Sequence, residues 1–132
     1  RTAREVNDSK PSWVIDKVIA AAKATPLSKG IAVLGLAFKA NIDDLRESPA
    51  IEIADKVAGI LHDRQINIVE PHVDSLPLNL NRHRNVSLSD LDTALEKSGV
   101  VVLLVDHESF ATIASERLEG SIVIDTRGAL QP

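Results

Sequence analysis

Hydrophobic residues follow two alternating patterns along this chain, short continuous runs and longer stretches with one apolar face. The longest run, residues 100–105, consists of six Val and Leu residues, which is typical of a strand buried on both faces of a parallel sheet. Shorter runs of the same kind predict four more strands. They lie at residues 31–38, 67–70, 86–88 and 122–125.

Helical spacing fills the segments between these runs. Apolar residues three and four positions apart, from Trp13 onward, predict an amphipathic helix that follows residues 9–11 (Ser-Lys-Pro) and continues to about Ala24. Ser48 as N-cap and Pro49 at the first helical position predict the start of a second helix. The pattern further predicts a helix from residues 89–90 to Gly99, a short helix at residues 108–114, and irregular structure at residues 73–85.

Strands that alternate with helices predict an α/β fold. We expect a three-layer αβα Rossmann-like domain, with an open parallel sheet of about five strands and right-handed crossovers on both faces. An N-terminal helix precedes the first strand. The 132 residues suffice for one such domain with a substantial core.

The composition excludes several classes of function. The formal net charge is −4 and the aromatic residues are Trp13, Phe38 and Phe110. We expect no nucleic-acid partner, because phosphate backbones need a basic face and single strands need stacking platforms. The chain contains no cysteine, which excludes disulfides, thiolate metal sites and a cysteine nucleophile within it.

The sequence also predicts where the protein works. No apolar run approaches the roughly 20 residues that span a bilayer, and no signal-peptide pattern opens the chain. We therefore expect a cytoplasmic protein without a membrane partner. The chain begins at Arg1 and contains no Met, which indicates a piece of a longer protein.

Basic residues follow two of the predicted strands. Lys39 comes after the first strand and Arg127 after the last, and ligands of open α/β sheets bind beyond the carboxyl ends of the strands. Lys39 as a point charge and Arg127 as a planar fork suit a diphosphate. The alternative, that both side chains only solvate the strand ends, stays open at this point.

Other charged residues near the strand ends have less distinctive patterns. Arg46 lies between Asp43–Asp44 and Glu47, so the charge pattern slightly favours a local ion pair over an arm that reaches a second ligand or domain. An acidic pair alone does not predict a metal site. Asp106 is interpreted as a strand-end cap, and His107 is left without a role.

The remaining histidines predict no metal centre. His62, His72 and His83 lack metal-ligand spacing, and we expect them at the surface. Residues 82–84 (Arg-His-Arg) are interpreted as a solvated loop, with contact to a partner as the alternative. No G-x-G-x-x-G motif and no P-loop is present, so the main dinucleotide-binding loop is not expected in this chain.

The segment after the first strand carries a family resemblance. Residues 35–39 (Gly-Leu-Ala-Phe-Lys) and 43–50 (Asp-Asp-Leu-Arg-Glu-Ser-Pro-Ala) resemble the signature that opens the C-terminal domain of the UDP-glucose/GDP-mannose dehydrogenase family. The resemblance runs along essentially the whole chain in the same order. Supporting stretches are residues 1–8, 13–16, 69–71 and 104–107.

The resemblance implies an activity for the full-length protein. Such enzymes oxidise C6 of a nucleotide sugar to a carboxylate in two NAD-dependent steps, through a thiohemiacetal on a cysteine. An N-terminal Rossmann domain would hold NAD, and a central helical region would form the subunit contact of a homodimer or higher oligomer. Residues 1–28 would end the central connecting helix, and residues 29–132 would form the UDP-sugar-binding domain.

The resemblance also implies residue roles. Phe38, Lys39 and Arg127 would contact the UDP-sugar, and Arg46 would reach the NAD held by the partner domain. The catalytic cysteine and the glycine-rich NAD loop belong to segments that this chain lacks, so the chain alone is expected to be inactive. The alternatives are a non-catalytic nucleotide-binding module and a structural role in domain closure or assembly.

Overall fold

The apolar runs form a single five-stranded parallel sheet. The computed structural model describes residues 11–36, 48–113 and 115–126. The strands lie in the order β3-β2-β1-β4-β5, and every pair is parallel. Their bounds are β1 Gly30–Leu34, β2 Ile66–Val69, β3 Val86–Leu88, β4 Ser98–Leu103 and β5 Ile122–Asp125.

Helices connect these strands in the predicted alternation. None of them, among the residues that the structure describes, has the length and apolar character needed to cross a membrane. The helices are α1 Pro11–Lys23, α2 Pro49–Ile60, α3 Leu78–Asn81, α4 Leu91–Lys97 and α5 Glu108–Ala111, followed by a 3₁₀ helix at Ser115–Leu118.

The core has one apolar layer on each face of the sheet. Ile31 and Val33 of β1 pack with the buried faces of α1 and α2, whereas Ala32 and Leu34 pack with α4 and Phe110. Successive strand residues point to opposite faces, so both faces of β1 are buried. The predicted three-layer α/β fold is confirmed.

Local sequence signals explain where the longer helices start. Ser48 has extended backbone angles and its side chain accepts a hydrogen bond from the Ala50 N–H, while Pro49 occupies the first turn of α2, as predicted. Asp90 caps α4 in the same way, accepting from the Thr93 N–H at 2.7 Å. Hydrogen bonds from the Thr93 side chain and from the Thr93 N–H hold the pKa of Asp90 below its ordinary value of 3.8.

Some predicted bounds are wrong. β1 ends at Leu34 instead of residue 38, because Gly35 has φ +100° and turns the chain out of the sheet. β4 spans Ser98–Leu103 instead of residues 100–105. The segment predicted as irregular contains α3, whose buried Leu80 anchors it to the core. The last predicted helix ends at Ala111 and a separate 3₁₀ helix follows.

Arg64 fastens α1 to the amino edge of the sheet. The residue is 6% exposed and lies between α2 and β2. Nη2 donates to the carbonyl oxygens of Ala22 (2.6 Å) and Thr25 (2.9 Å), and Nη1 donates to Thr25 Oγ1 (2.9 Å) and to the Lys29 carbonyl oxygen (3.3 Å). Ala22 belongs to the last turn of α1, so the cation lies at the negative end of the helix dipole.

The strand order places a topological switch point at the carboxyl edge of the sheet. β2 pairs with one edge of β1, and β3 lies beyond β2. β4 then pairs with the opposite edge of β1. Strand order therefore reverses between β1 and β4. Ligands of open α/β sheets bind at such a switch point, and the residues that follow β1 and β4 lie next to it.

Candidate functional site

A buried carboxylate links the ends of three strands at this edge. Glu70 follows β2 and is 3% exposed. Its Oε1 accepts a hydrogen bond from the Leu36 N–H at 2.7 Å and lies 3.0 Å from Nε2 of His107. Leu36 comes two residues after β1, and His107 comes four residues after β4. One side chain thus connects β2 with both strands of the switch point.

His107, to which the sequence assigned no role, is the inner partner of Glu70. Its side chain has no exposed area, and its ring lies 4.6 Å from that of His72 and 5.5 Å from that of Phe110 between centroids. Oε2 of Glu70 accepts from the His72 N–H at 3.1 Å. His107 is thus enclosed by Glu70, His72 and Phe110, whereas Asp106 beside it in the sequence is exposed.

Ser48 holds the other side of Leu36. Its Oγ donates to the Leu36 carbonyl oxygen and accepts from the Ala50 N–H at 3.2 Å. Side chains therefore satisfy both backbone groups of Leu36, the N–H through Glu70 and the C=O through Ser48. Residues 36 and 48 are tied together directly, although eleven residues separate them in the sequence.

The predicted ligand residues lie outside the described residues. Phe38, Lys39 and Arg46 fall within residues 37–47, and Arg127 follows the last described residue, Thr126. Their convergence on one ligand stays a prediction. The structure does describe the residues next to them. Leu36 and Ser48 flank residues 37–47, and Thr126 precedes Arg127.

Thr126 marks the start of the second segment. Its N–H and Oγ1 both donate to the carbonyl oxygen of Leu103, the last residue of β4, at 3.3 and 2.7 Å. The described residues next to both segments therefore lie at the carboxyl edge, Leu36 after β1 and Thr126 after β5. Strands β1 and β5 flank β4, so these two strands lie roughly 10 Å apart at the usual strand spacing.

The turn after β1 does not resemble a dinucleotide-binding loop. The Gly35 N–H donates to the Val69 carbonyl oxygen at 2.8 Å, and the Leu36 N–H is taken by Glu70. In a Rossmann cofactor site, backbone N–H groups at this position face the pyrophosphate. The described residues therefore do not fit the main NAD-binding loop.

Glu70, His72 and His107 offer ligand atoms that all lie within 4.8 Å of one another. A carboxylate and two imidazoles are a donor set that zinc accepts. Both oxygens of Glu70 already accept backbone hydrogen bonds, and Oε1 also lies at hydrogen-bond distance from His107. A metal would compete with these bonds, so we interpret the cluster as a hydrogen-bonded network.

Sequence reasoning missed this cluster. Glu70 was interpreted only as the last residue of a strand, and 37 positions separate it from His107. The available signal was that each follows a strand of a parallel sheet, because such ends meet at one edge. His62 and His72 are exposed, as predicted.

The predicted solvated loop at residues 82–84 is wrong in part. Nη2 of Arg82 donates to Asp55 Oδ1 at 2.8 Å, and Nε2 of His83 lies 2.6 Å from the same oxygen. His83 is half-buried as a result, which contradicts its predicted surface position, whereas Arg84 is exposed. Burial alone raises the pKa of Asp55, but the hydrogen bonds from His83 and Arg82 outweigh it and hold the pKa below 3.8.

The Asp55 cluster predicts acid sensitivity. Because the pKa of Asp55 is lowered by folding, the ionised carboxylate contributes stability above its ordinary value of 3.8, and this contribution is lost as the pH falls below that value. We expect Asp55→Asn to flatten the fall in melting temperature between about pH 5 and pH 3. Thermal unfolding at several pH values gives the melting temperature of each variant, and Asp63→Asn, at an exposed position, serves as control. Parallel curves for wild type and Asp55→Asn would contradict the assignment.

Comparison with known proteins places the chain among nucleotide-sugar dehydrogenases. Residues 32–132 match the model described as UDP-glucose/GDP-mannose dehydrogenase family, UDP binding domain. The chain is 48% identical over 131 residues to NDP-N-acetyl-D-galactosaminuronic acid dehydrogenase of Ralstonia nicotianae, covering 97% of this chain and 29% of that protein. It is 46% identical over 137 residues to UDP-N-acetyl-D-mannosamine dehydrogenase of Escherichia coli, covering 97% and 31%.

A solved structure gives the same result. UDP-N-acetyl-mannosamine dehydrogenase of Staphylococcus aureus superimposes with a TM-score of 0.71 at 26% identity, covering 92% of this chain and 28% of that chain. The chain thus spans less than a third of the length of these proteins. Residues 32–132 include β2 to β5, all of β1 except Gly30 and Ile31, and the buried group formed by Glu70, His72 and His107. The chain belongs to the UDP-glucose/GDP-mannose dehydrogenase family, and residues 32–132 match its UDP-binding domain.

Proposed function

We propose that this chain is the C-terminal UDP-sugar-binding domain of an NAD-dependent UDP-N-acetyl-D-mannosamine 6-dehydrogenase. The observation that carries the proposal is the family match over residues 32–132. The described neighbours of the segments that carry Lys39 and Arg127, which are Leu36, Ser48 and Thr126, are hydrogen-bonded at the carboxyl edge of the sheet. Relatives at 46% and 48% identity are named for N-acetylated sugar nucleotides, which favours an N-acetylhexosamine over glucose. The full-length enzyme oxidises UDP-N-acetylmannosamine to the uronic acid in two steps at C6.

The domain acts by binding and orienting the substrate. Lys39 and Arg127 hold the diphosphate, and Phe38 contacts the UDP-sugar beside them. The diphosphate does not react, so its binding energy is available to position C6 for oxidation. The sequence contains no cysteine, so the nucleophile belongs to another part of the full-length protein.

NAD would accept the hydride in this reaction. Since the described turn after β1 does not fit the main cofactor loop, the cofactor is held mainly by an N-terminal domain of the same protein. Arg46 is the residue of this chain proposed to reach it. In the full-length enzyme the domain works against that NAD-binding domain and a central helical region, in a cytoplasmic homodimer or higher oligomer.

Titration calorimetry with UDP and with uridine tests the proposal directly. We expect the chain to bind UDP and to bind uridine at least tenfold more weakly, because uridine lacks the diphosphate that the two cations hold. A tenfold ratio corresponds to about 1.4 kcal/mol, near the lower end of one charge-assisted hydrogen bond. Equal affinity for both ligands, or binding of neither, would contradict the proposal.

Lys39→Ala in the full-length enzyme tests the residue assignment. We expect the substitution to cost about 1.5–3 kcal/mol, or about ten- to 150-fold in kcat/KM for the UDP-sugar, because it removes a charge-assisted hydrogen bond to phosphate. Steady-state kinetics measures it. Asp63→Asn, an exposed change after α2, serves as control. Unaltered kinetics for Lys39→Ala would show that Lys39 does not bind the substrate.

The other candidate functions predict different results. A non-catalytic nucleotide-binding module would bind UDP with micromolar affinity by itself, whereas a domain that shares its site with other domains of an enzyme would bind UDP more weakly in isolation. A purely structural domain would lose oligomerisation on Arg127→Ala and keep its substrate affinity. The same domain of a UDP-glucose 6-dehydrogenase would prefer UDP-glucose when the full-length enzyme is assayed with both sugars.

A further inference from the structure

The backbone at Leu36 leaves the hydrogen-bond pattern of the sheet. One residue earlier, the Gly35 N–H still donates to the backbone of β2, at the Val69 carbonyl oxygen. The next N–H, that of Leu36, donates to a side chain, Oε1 of Glu70, at 2.7 Å. Glu70 therefore takes the place of a backbone acceptor at the point where the chain departs from the sheet.

The position of Glu70 is itself fixed from several sides. Oε1 lies 3.0 Å from His107 Nε2, and Oε2 accepts from the His72 N–H at 3.1 Å. Glu70 and His107 are 3% and 0% exposed. Burying a carboxylate costs free energy unless hydrogen bonds compensate for the lost water. The bonds of Glu70 to the Leu36 N–H, the His72 N–H and His107 provide that compensation. A backbone N–H held by such a group has one well-defined direction.

Leu36 and Ser48 flank the segment that carries three of the four predicted ligand residues, Phe38, Lys39 and Arg46. Ser48 Oγ bonds the Leu36 carbonyl oxygen, so the two ends of that segment meet. Because Ser48 is also the N-cap of α2, the far end is fixed to a helix. Through Leu36, Glu70 acts on the near end.

We propose that Glu70 is a positioning residue for substrate binding, which fixes the backbone at Leu36, three residues before Lys39 in the sequence. This inference rests on the proposed function, since it assumes that a UDP moiety binds at the switch point. Glu70 does not touch the substrate in this account. Its effect is carried by the Leu36 N–H, and His107 keeps the carboxylate in place.

Substitution of Glu70 in this chain tests the inference. We expect Glu70→Ala to raise the dissociation constant for UDP about tenfold, the equivalent of losing one charge-assisted hydrogen bond. Glu70→Gln keeps an oxygen for the Leu36 N–H but loses the charge and the second acceptor, so we expect a smaller rise of about threefold. Calorimetry at a temperature where each variant is folded gives both values, and circular dichroism checks folding.

Arg64→Ala is the matched control. It removes a buried side chain with several hydrogen bonds at the opposite, amino edge of the sheet, so it lowers the melting temperature without touching the switch point. We expect its UDP affinity to equal that of wild type. A loss of affinity in proportion to the loss of stability in all three variants would show that Glu70 is only structural.

The outcomes separate the two proposals. If the unaltered chain binds UDP and both Glu70 variants bind it equally well, the positioning role is wrong while the proposed function stands. If the unaltered chain binds no UDP, the proposed function fails and the positioning role fails with it. Should Glu70→Ala not fold, the threefold change expected for Glu70→Gln decides the question, and unchanged affinity there overturns the inference.

Discussion

Replacing Gly35 by alanine is expected to lower the free energy of unfolding by about 2–5 kcal/mol, the sum of backbone strain and overpacking. Gly35 has φ +100°, and a Cβ there would lie 2.6 Å from Val105 Cβ and 3.0 Å from the Val105 backbone nitrogen. The backbone nitrogen is part of the switch point and has little room to move. The new methyl group would push β1 away from the chain that follows β4.

Gly120→Ala is the matched control for this substitution. Gly120 also has a positive φ, +85°, but a Cβ there would meet nothing within 4 Å. We therefore expect only the strain, about 1–2 kcal/mol. Denaturant unfolding of both variants isolates the contact with Val105. Equal losses of stability for the two variants would contradict the close approach of β1 and the segment after β4.

Arg64→Ala is expected to lower the free energy of unfolding by about 3 kcal/mol, since hydrogen bonds from a charged group are worth about 1.5–3 kcal/mol and several are lost together. The guanidinium reaches three carbonyl oxygens, those of Ala22, Thr25 and Lys29, as well as the Thr25 hydroxyl. It closes the end of α1 and joins that helix to the start of β2. Its removal takes one donor from each of these oxygens, although the Ala22 carbonyl oxygen still accepts from the Thr25 N–H and Oγ1, both at 3.0 Å.

Arg64→Lys separates the charge from the shape of the side chain. A lysine keeps the cation at the helix end but cannot reach four acceptors with one ammonium group, so we expect it to recover less than half of the loss. Arg84→Ala, at an exposed position, controls for removal of a cation and should change stability by less than about 0.5 kcal/mol. Urea unfolding measures all three. A loss of less than about 0.5 kcal/mol for Arg64→Ala would show that the buried Arg64 guanidinium does not stabilise the fold.

The fold was predictable because its signals are local. Residues 100–105 form a continuous apolar run, and Ser48–Pro49 carry a helix start that depends only on neighbours in sequence. Strand bounds were less predictable. The apolar pattern continues past Leu34 to residue 38, whereas the strand ends where Gly35 turns the backbone. The backbone angle of Gly35 cannot be predicted from the hydrophobicity of its neighbours.

The buried polar groups were not predictable for a different reason. Glu70, His107 and Arg64 are charged or titratable residues whose usual place is the surface, and only the packed structure shows which partners satisfy them. Asp55 and His83 are 28 positions apart and meet because α3 packs on α2. The predicted ligand residues came from family resemblance and strand position, and their roles stay predictions.

A crystal structure of the chain with bound UDP would show whether Lys39 and Arg127 bind the diphosphate together. We expect Lys39 Nζ and the Arg127 guanidinium both to lie within about 2.7–3.2 Å of diphosphate oxygens, above the carboxyl ends of β1 and β4. Diphosphate bound elsewhere, or a complex in which the two side chains point to opposite sides of the sheet, would contradict it.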